Sequence, residues 1–195
     1  FDAVESRLVL TGSDDVDNIE IVGDVAVTVL GQDDADTLTG GFGNDIIDGG
    51  EGDDTITGAD GDDTIDGGEG DDVAVFAGNQ SDYTFESSAD GLTVTITETS
   101  TGYVDTVTGV ETLSFADGDL GVSLDGNGLV LTGLDDVDSI EIVGDVAVTV
   151  LGQDDSDTLT GGFGNDIIDG GEGDDIVDGG TSADTIIGGA GDDTI

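Results

Sequence analysis

Between Gly40 and Asp66 one aliphatic side chain returns at every ninth position, Ile47, Ile56 and Ile65, each standing two places after an aspartate: Asp45, Asp54 and Asp63. Glycine fills the first and fourth places of every unit, as at Gly49 and Gly52. The β-branched residue, flanked by positions free to be polar, predicts a very short strand whose single inward side chain stacks on its neighbours. The glycines between strands predict tight turns. The period continues in degenerate form at Gly12–Glu20 and Gly31–Thr39, where Asp34 takes the place of the fourth glycine, and it resumes at Gly67–Asp72. Leu8-Val9-Leu10 reads as a short strand, and the alternation of Val25, Val27 and Val29 as a longer one.

The pattern gives way at Val73-Ala74-Val75-Phe76. Over 77–127, Tyr83 and Phe85 alternate, Asp90-Gly91 marks a turn, and Leu92, Val94 and Ile96 alternate with threonines. This is an antiparallel hairpin pattern. Val110, Leu113 and Phe115 then lead into a further turn at Ala116-Asp117-Gly118. From Leu129 the chain repeats itself: residues 8–54 align with 129–175 at an offset of 121, with 44 of 47 positions identical. The expected organisation is a first repeat block at 8–76, a β-rich spacer or cap at 77–127, and a second block at 128–195.

Composition sharpens the reading. There are 48 acidic residues against a single basic one, Arg7, and the formal charge is −47. That field repels nucleic acid and anionic membranes and leaves cations as the obvious partner. Without a counterion the chain is expected to resist collapse. It has no Cys for disulfides and no His for zinc or for general-base work. No serine sits in a Gly-x-Ser-x-Gly elbow, and dozens of equivalent carboxylates on an open surface make no acid–base pair, so no enzyme is expected within these residues. No apolar run approaches the roughly 18 residues of a membrane helix. The chain opens at Phe1 with neither Met nor a secretory signal and stops within a repeat at Thr194-Ile195, so a longer parent protein is expected.

The nonapeptide suggests a ligand set. Glycines let carbonyl oxygens approach a shared point, and aspartate adds a hard anionic oxygen beside them, as Ca²⁺ accepts. Acids at other places, such as Glu51, Asp53, Asp62 and Glu69, are read as a soluble face. An EF-hand loop is not found in register.

Units such as Gly40-Gly41-Phe42-Gly43-Asn44-Asp45-Ile46-Ile47-Asp48 resemble the Ca²⁺-binding nonapeptide repeat of RTX proteins, GGxGxDxUx. The resemblance implies an all-β fold: two parallel β-roll (β-solenoid) blocks, two nonapeptides per coil, separated by an antiparallel β spacer whose aromatics close a solenoid end. It implies Ca²⁺ held between turns 18 residues apart, about four ions per roll. The cages would pair Asp36 with Asp54, Asp54 with Asp72, Asp45 with Asp63, and Asp17 with Asp36. In the second roll they would pair Asp157 with Asp175, Asp175 with Asp193, Asp166 with Asp184, and Asp138 with Asp157. Turn carbonyls would complete them, at Gly41, Gly43, Gly50, Gly52, Gly61, Gly68 and Gly70, and at Gly162, Gly164, Gly171, Gly173, Gly189 and Gly191. The family further implies an extracellular location, passage unfolded through a type I secretion system, and folding in external Ca²⁺. Two roles fit: a structural module of a long repetitive bacterial protein (adhesin stalk, surface layer or fibre, with end-to-end self-association open to it), or the export tail of a secreted protease or lipase.

Overall fold

The computed structural model describes residues 8–89, 91–124, 128–134 and 136–195; Arg7 and Asp90 of the expected turn lie outside them. The architecture is all-β. The first strands are β1 (Leu8–Thr11), β2 (Asn18–Glu20), β3 (Val27–Gln32), β4 (Thr37–Gly41), β5 (Ile46–Glu51), β6 (Thr55–Ala59), β7 (Thr64–Glu69) and β8 (Val73–Val75). A 3₁₀ turn at Gln80–Asp82 leads into β9 (Tyr83–Ser87), β10 (Thr93–Glu98), β11 (Val104–Thr108), β12 (Thr112–Ser114) and β13 (Asp119–Leu124). The repeat then gives β14 (Leu129–Gly133), β15 (Ser139–Glu141), β16 (Thr149–Leu151), β17 (Thr158–Thr160), β18 (Ile167–Glu172), β19 (Ile176–Asp178) and β20 (Thr185–Ala190).

These strands form two compact units: the chain up to Val75 with Tyr103–Val110, and Phe76–Gly102 with Glu111–Ile195. In the first, β1, β3, β5 and β7 pair in parallel along one side, and β2, β4, β6 and β8 along the other. Each coil advances 18 residues, as in Ile47 opposite Ile65. The first coil advances 19, Leu8 lying opposite Val27 and Asn18 opposite Thr37. This single extra residue keeps Asp17 in the same row as Asp36.

The core of the first unit is two facing stacks. Leu10, Val29, Ile47, Ile65 and Val107 lie in register on one side, and Ile19, Leu38, Ile56 and Ala74 on the other. From Val29 and Leu38 onward they are fully buried. Each buried aliphatic side chain contributes about 1.5–3 kcal/mol, and every coil touches only its neighbours, so stability accumulates coil by coil. The second unit repeats the arrangement with Leu131, Val150, Ile168 and Ile186 against Ile140, Leu159 and Val177.

Residues 77–127 contribute to both units. Val104–Thr108, within the stretch read as antiparallel spacer, pairs in parallel with β7 and adds a strand to the first roll. Three further pairs are antiparallel as expected: β9 with β10, β12 with β13, and β13 with β14. Gly91, at φ +74°, donates its N–H to Ser88 O in the turn between β9 and β10. Phe76, Tyr83, Phe85 and Phe115 form a ring cluster with centroids 5.3–5.9 Å apart. The cluster belongs to the second unit, where Phe85 bridges Ile142 of that unit's first coil.

Candidate metal centre

Two features of the turns follow from the glycine pattern. Gly50 sits at φ +113°, and a methyl group built on it would collide with the carbonyl of Gln32 one coil earlier. The stacked turns demand the same left-handed backbone even where the sequence departs from glycine: Gln32, Asp34, Ala59, Gln153, Asp155 and Ser182 all have φ between +70° and +101°. Gly43 and Gly164 are needed for closeness instead, since methyl groups there would lie 2.7 Å from Ala26 N and 2.6 Å from Asp166 Oδ1.

The aspartates two places before each stacked aliphatic form continuous rows. Asp17 N–H donates to Asp36 Oδ1 at 2.7 Å, Asp36 N–H to Asp54 Oδ1 at 2.7 Å, and Asp54 N–H to Asp72 Oδ1 at 2.8 Å. On the opposite edge Asp45 N–H donates to Asp63 Oδ1 at 2.7 Å. In the second roll the same bond runs from Asp138 to Asp157 and from Asp157 to Asp175, both at 2.9 Å, from Asp166 to Asp184 at 3.1 Å, and from Asp175 to Asp193 at 3.2 Å. All eight expected pairs are thus neighbours. The interior aspartates are at most 2 % exposed, whereas Asp17, Asp184 and Asp193 are half-buried. Asp17 also differs in that its Oδ2 accepts bonds from Ser13 N–H and Oγ–H.

The second carboxylate oxygen is the anomaly. Oδ2 of Asp36, Asp54, Asp63, Asp138, Asp157, Asp166 and Asp175 is buried and accepts no hydrogen bond. For Asp36, Asp54, Asp138, Asp157, Asp166 and Asp175 it lies beside the first glycine of its own turn and the carbonyl of the corresponding glycine one coil later, while that of Asp63 lies beside Gly58. A methyl group on Gly40 would be 2.5 Å from Asp45 Oδ2 and 3.0 Å from Gly58 O; one on Gly161 would be 2.7 Å from Asp166 Oδ2 and 3.0 Å from Gly179 O. One on Gly49 would strike both Asp54 Oδ2 and Gly67 O. Anionic and carbonyl oxygens therefore converge on a space kept open by the missing side chain, a donor set that fits Ca²⁺. Among the described residues no three acidic, His or Cys side chains meet at one point.

A family model for the RTX calcium-binding nonapeptide repeat matches in four copies, at residues 28–56, 41–74, 151–186 and 173–195. The chain belongs to the RTX calcium-binding nonapeptide repeat family. No curated protein matches it. Among solved structures, it is similar to the extracellular lipase LipA from Serratia marcescens, with 24% identity and a TM-score of 0.48 over 85% of this chain. The RTX chain spans 29% of that lipase chain.

Electrostatics of the RTX rows run against the metal-free state. Asp63 and Asp157 are pushed up to about 7, first by burial and then by neighbouring carboxylates, Asp105 and Asp45 for the former and Asp138 and Asp175 for the latter. The backbone N–H bond at each opposes the rise. Burial likewise raises Asp138 to about 6, with Gln80 opposing. Asp54 and Asp166 shift upward for the same leading reason.

Three features of this RTX site were not anticipated from the sequence. The glycine carbonyls that share the space beside a first-place glycine with an orphaned oxygen are those of place one, as at Gly49, Gly67 and Gly179, whereas Gly41 and Gly162 of place two accept N–H bonds from Asp60 and Thr181. Asp105, on β11 and outside any nonapeptide, continues the Asp45–Asp63 row by accepting Asp63 N–H at 2.9 Å. Gln80 is fully buried and closes the second roll's row: its Nε2–H donates to Asp138 Oδ1 at 2.7 Å and its Oε1 accepts Ser139 N–H at 2.8 Å.

Proposed function

We propose that this chain is a Ca²⁺-dependent structural module of a long, repetitive extracellular bacterial protein, an adhesin stalk, surface layer or fibre. RTX repeats mark Ca²⁺-binding structural modules of secreted bacterial proteins. The observation that carries the dependence on metal is the row of buried carboxylate oxygens without a bonding partner. A buried, uncompensated charge costs several kcal/mol after relaxation, and several such groups together exceed the 5–15 kcal/mol that stabilises an ordinary domain. Bound Ca²⁺ supplies the compensating positive charge between coils. Asp36, Asp54, Asp63 and their counterparts in the second roll present the anionic oxygens, and the place-one carbonyls complete the set. The residues thus hold the coils apart while apo and together when loaded.

A 47-residue stretch recurring at an offset of 121, with 44 positions identical, favours a module that builds length over one that performs chemistry. About eight ions would bring the formal charge from −47 to about −31, so the folded module stays strongly anionic and soluble. Export through a type I system and folding in external Ca²⁺, which the RTX family implies, suit a chain that repels itself without the metal. No catalytic group is assigned within it.

Far-UV circular dichroism in EGTA, and then across a titration to about 10 mM Ca²⁺, tests the reading. A cooperative change from coil to β supports it. A complete β spectrum already present in EGTA would overturn it.

A further inference from the structure

The chain carries a 47-residue sequence twice, differing only at Ser13/Leu134, Asn18/Ser139 and Ala35/Ser156, and the two copies end differently. In the second copy, the first coil is covered. β13 pairs antiparallel with β14, placing Leu120, Val122 and Leu124 opposite Gly133, Leu131 and Leu129. Phe85 O accepts Val143 N–H at 3.0 Å. The Gln80 carboxamide stands where the backbone of a preceding coil would stand, donating to Asp138 and accepting from Ser139.

In the first copy no described residue does any of this. β1 and β2 are terminal strands, each paired on one side alone among the described residues. Leu8 is 53% exposed where its counterpart Leu129 is 1%, Val9 is 56% against 7% for Val130, and Val22 is 83% against 38% for Val143. Asp17, Ile19 and Ile21 are half-buried, while Asp138, Ile140 and Ile142 are at most 2% exposed. Identical side chains at identical register therefore form a buried interface in one place and an open sheet end in the other.

We infer that the open end of the first roll, formed by β1, β2 and the Ile21-Val22 turn, is a docking surface for another copy of the Phe76–Leu124 segment. The occupant is fixed by what the identical surface holds in the second unit. Its β13-type strand would pair with β1, its Phe85-type residue would bridge Ile21 through the backbone, and its Gln80-type amide would bond Asp17 and residue 18. Residue 18 is Asn where its counterpart is Ser139, and the bond from Ser139 uses the backbone N–H, so this substitution leaves the contact intact. The open strand edge and its exposed aliphatics are the features expected of a surface awaiting a strand. This rests on the array reading and deepens it: each copy of the segment then covers the open end of the roll that follows it in the chain.

The test is a chain in which a second copy of residues 76–128 replaces residues 1–7 ahead of Leu8, reproducing the order found before Leu129. Hydrogen exchange is measured by mass spectrometry in Ca²⁺. The amides of Leu8–Thr11 and Asn18–Glu20 should slow by about tenfold or more relative to the unextended chain, approaching those of Leu129–Gly133 and Ser139–Glu141. Gln80→Ala in the added copy alone should return Asn18–Glu20 towards the faster rate. Because Leu129–Gly133 is the reference within the same molecule, the comparison is read separately from whether Ca²⁺ drives folding. Unchanged exchange at Leu8–Thr11 beside a slow Leu129–Gly133 overturns the inference. So does a native chain that is dimeric with Leu8–Thr11 already slow, since the surface would then take another roll end.

Discussion

Replacing Asp54 by Asn should have opposite effects with and without Ca²⁺. Asp54 is 1% exposed; its Oδ1 accepts Asp36 N–H at 2.7 Å, its N–H donates to Asp72 Oδ1 at 2.8 Å, and its Oδ2 is buried without a partner. Asparagine keeps the size and one acceptor oxygen, removes the charge, and offers an N–H₂ towards the carbonyl of Gly67. In EGTA the variant loses a buried charge and should fold no worse than the parent. In saturating Ca²⁺ it loses an anionic ligand. Charge-assisted contacts are worth about 1.5–3 kcal/mol each, and Asp54 faces a neighbouring coil on both sides, so the loss should be about 3–6 kcal/mol. The control is Asp53→Asn one place earlier. Asp53 is exposed, and its Oδ1 accepts Asp71 N–H at 3.0 Å, a bond that asparagine can keep, so its effect should stay within about 0.5 kcal/mol. Urea melts at fixed Ca²⁺ and Ca²⁺ midpoints by circular dichroism give both quantities. Equal midpoints for the two variants would refute the assignment of place six as the ligand position.

Gly50→Ala should destabilise the Ca²⁺-loaded first roll by about 1–2 kcal/mol from its left-handed φ of +113°, and further from contact with Gln32 O, whereas Ala59→Gly should be neutral or stabilising by under about 1 kcal/mol; urea melts in Ca²⁺ compare them. The acids raised to about 7, Asp63 and Asp157, and Asp138 at about 6, bind more protons folded than unfolded. Their contribution to the metal-free roll is therefore present below about pH 4 and lost as pH rises through 7, so β signal in EGTA should grow on acidification from pH 8 to 4. A signal that falls over that range would contradict it. In Ca²⁺ the same groups should make the midpoint rise as pH drops below about 7, because proton and cation compete for one oxygen; titrations at pH 6 and 8 measure it. Mg²⁺ should not substitute for Ca²⁺, since carbonyl-rich and flexible cages suit the larger ion, and a full β spectrum in Mg²⁺ alone would refute this.

The parts of this fold that repeat were readable from sequence, and the parts that occur once were not. Ile47, Ile56 and Ile65 declare a core because each strand buries one residue and the strands recur; parallel stacking then follows from the 18-residue coil. Asp17 and Asp36 lie 19 residues apart rather than 18, and because the whole first coil is one residue longer the row survives. β11 gave no such signal. Thr106 pairs with Thr64 across 42 residues, and no glycine turn announces Val104–Thr108 as a coil strand. Gln80 stands beside Asn79 in a polar run with no repeat to single it out; what marks it is the structural need of Asp138 for a donor from outside the roll. The place-one carbonyls escaped for a different reason. Glycine identity predicts where the chain can turn, but which carbonyl faces the carboxylate is set by how successive turns stack.

Place five gives an internal control on what place six requires. There, too, a side chain on one coil accepts an N–H from the place-five residue 18 positions later: Asn44 Oδ1 from Asp62, Asp53 Oδ1 from Asp71, Ser156 Oγ from Asp174, Asn165 Oδ1 from Ala183, and Asp174 Oδ1 from Asp192. Aspartate, asparagine and serine serve interchangeably on that exposed edge, because the backbone needs an acceptor and nothing more. The geometry at place six is of the same kind, one oxygen per coil taking one N–H, and asparagine would satisfy it at far lower desolvation cost. Yet Asp36, Asp54, Asp63, Asp157, Asp166 and Asp175 are all aspartate, buried, and left with a second oxygen that no donor reaches. The hydrogen bond cannot be the reason for the charge. A cation between the coils would be a sufficient reason, and place six is the one place at which every nonapeptide of this chain carries a carboxylate.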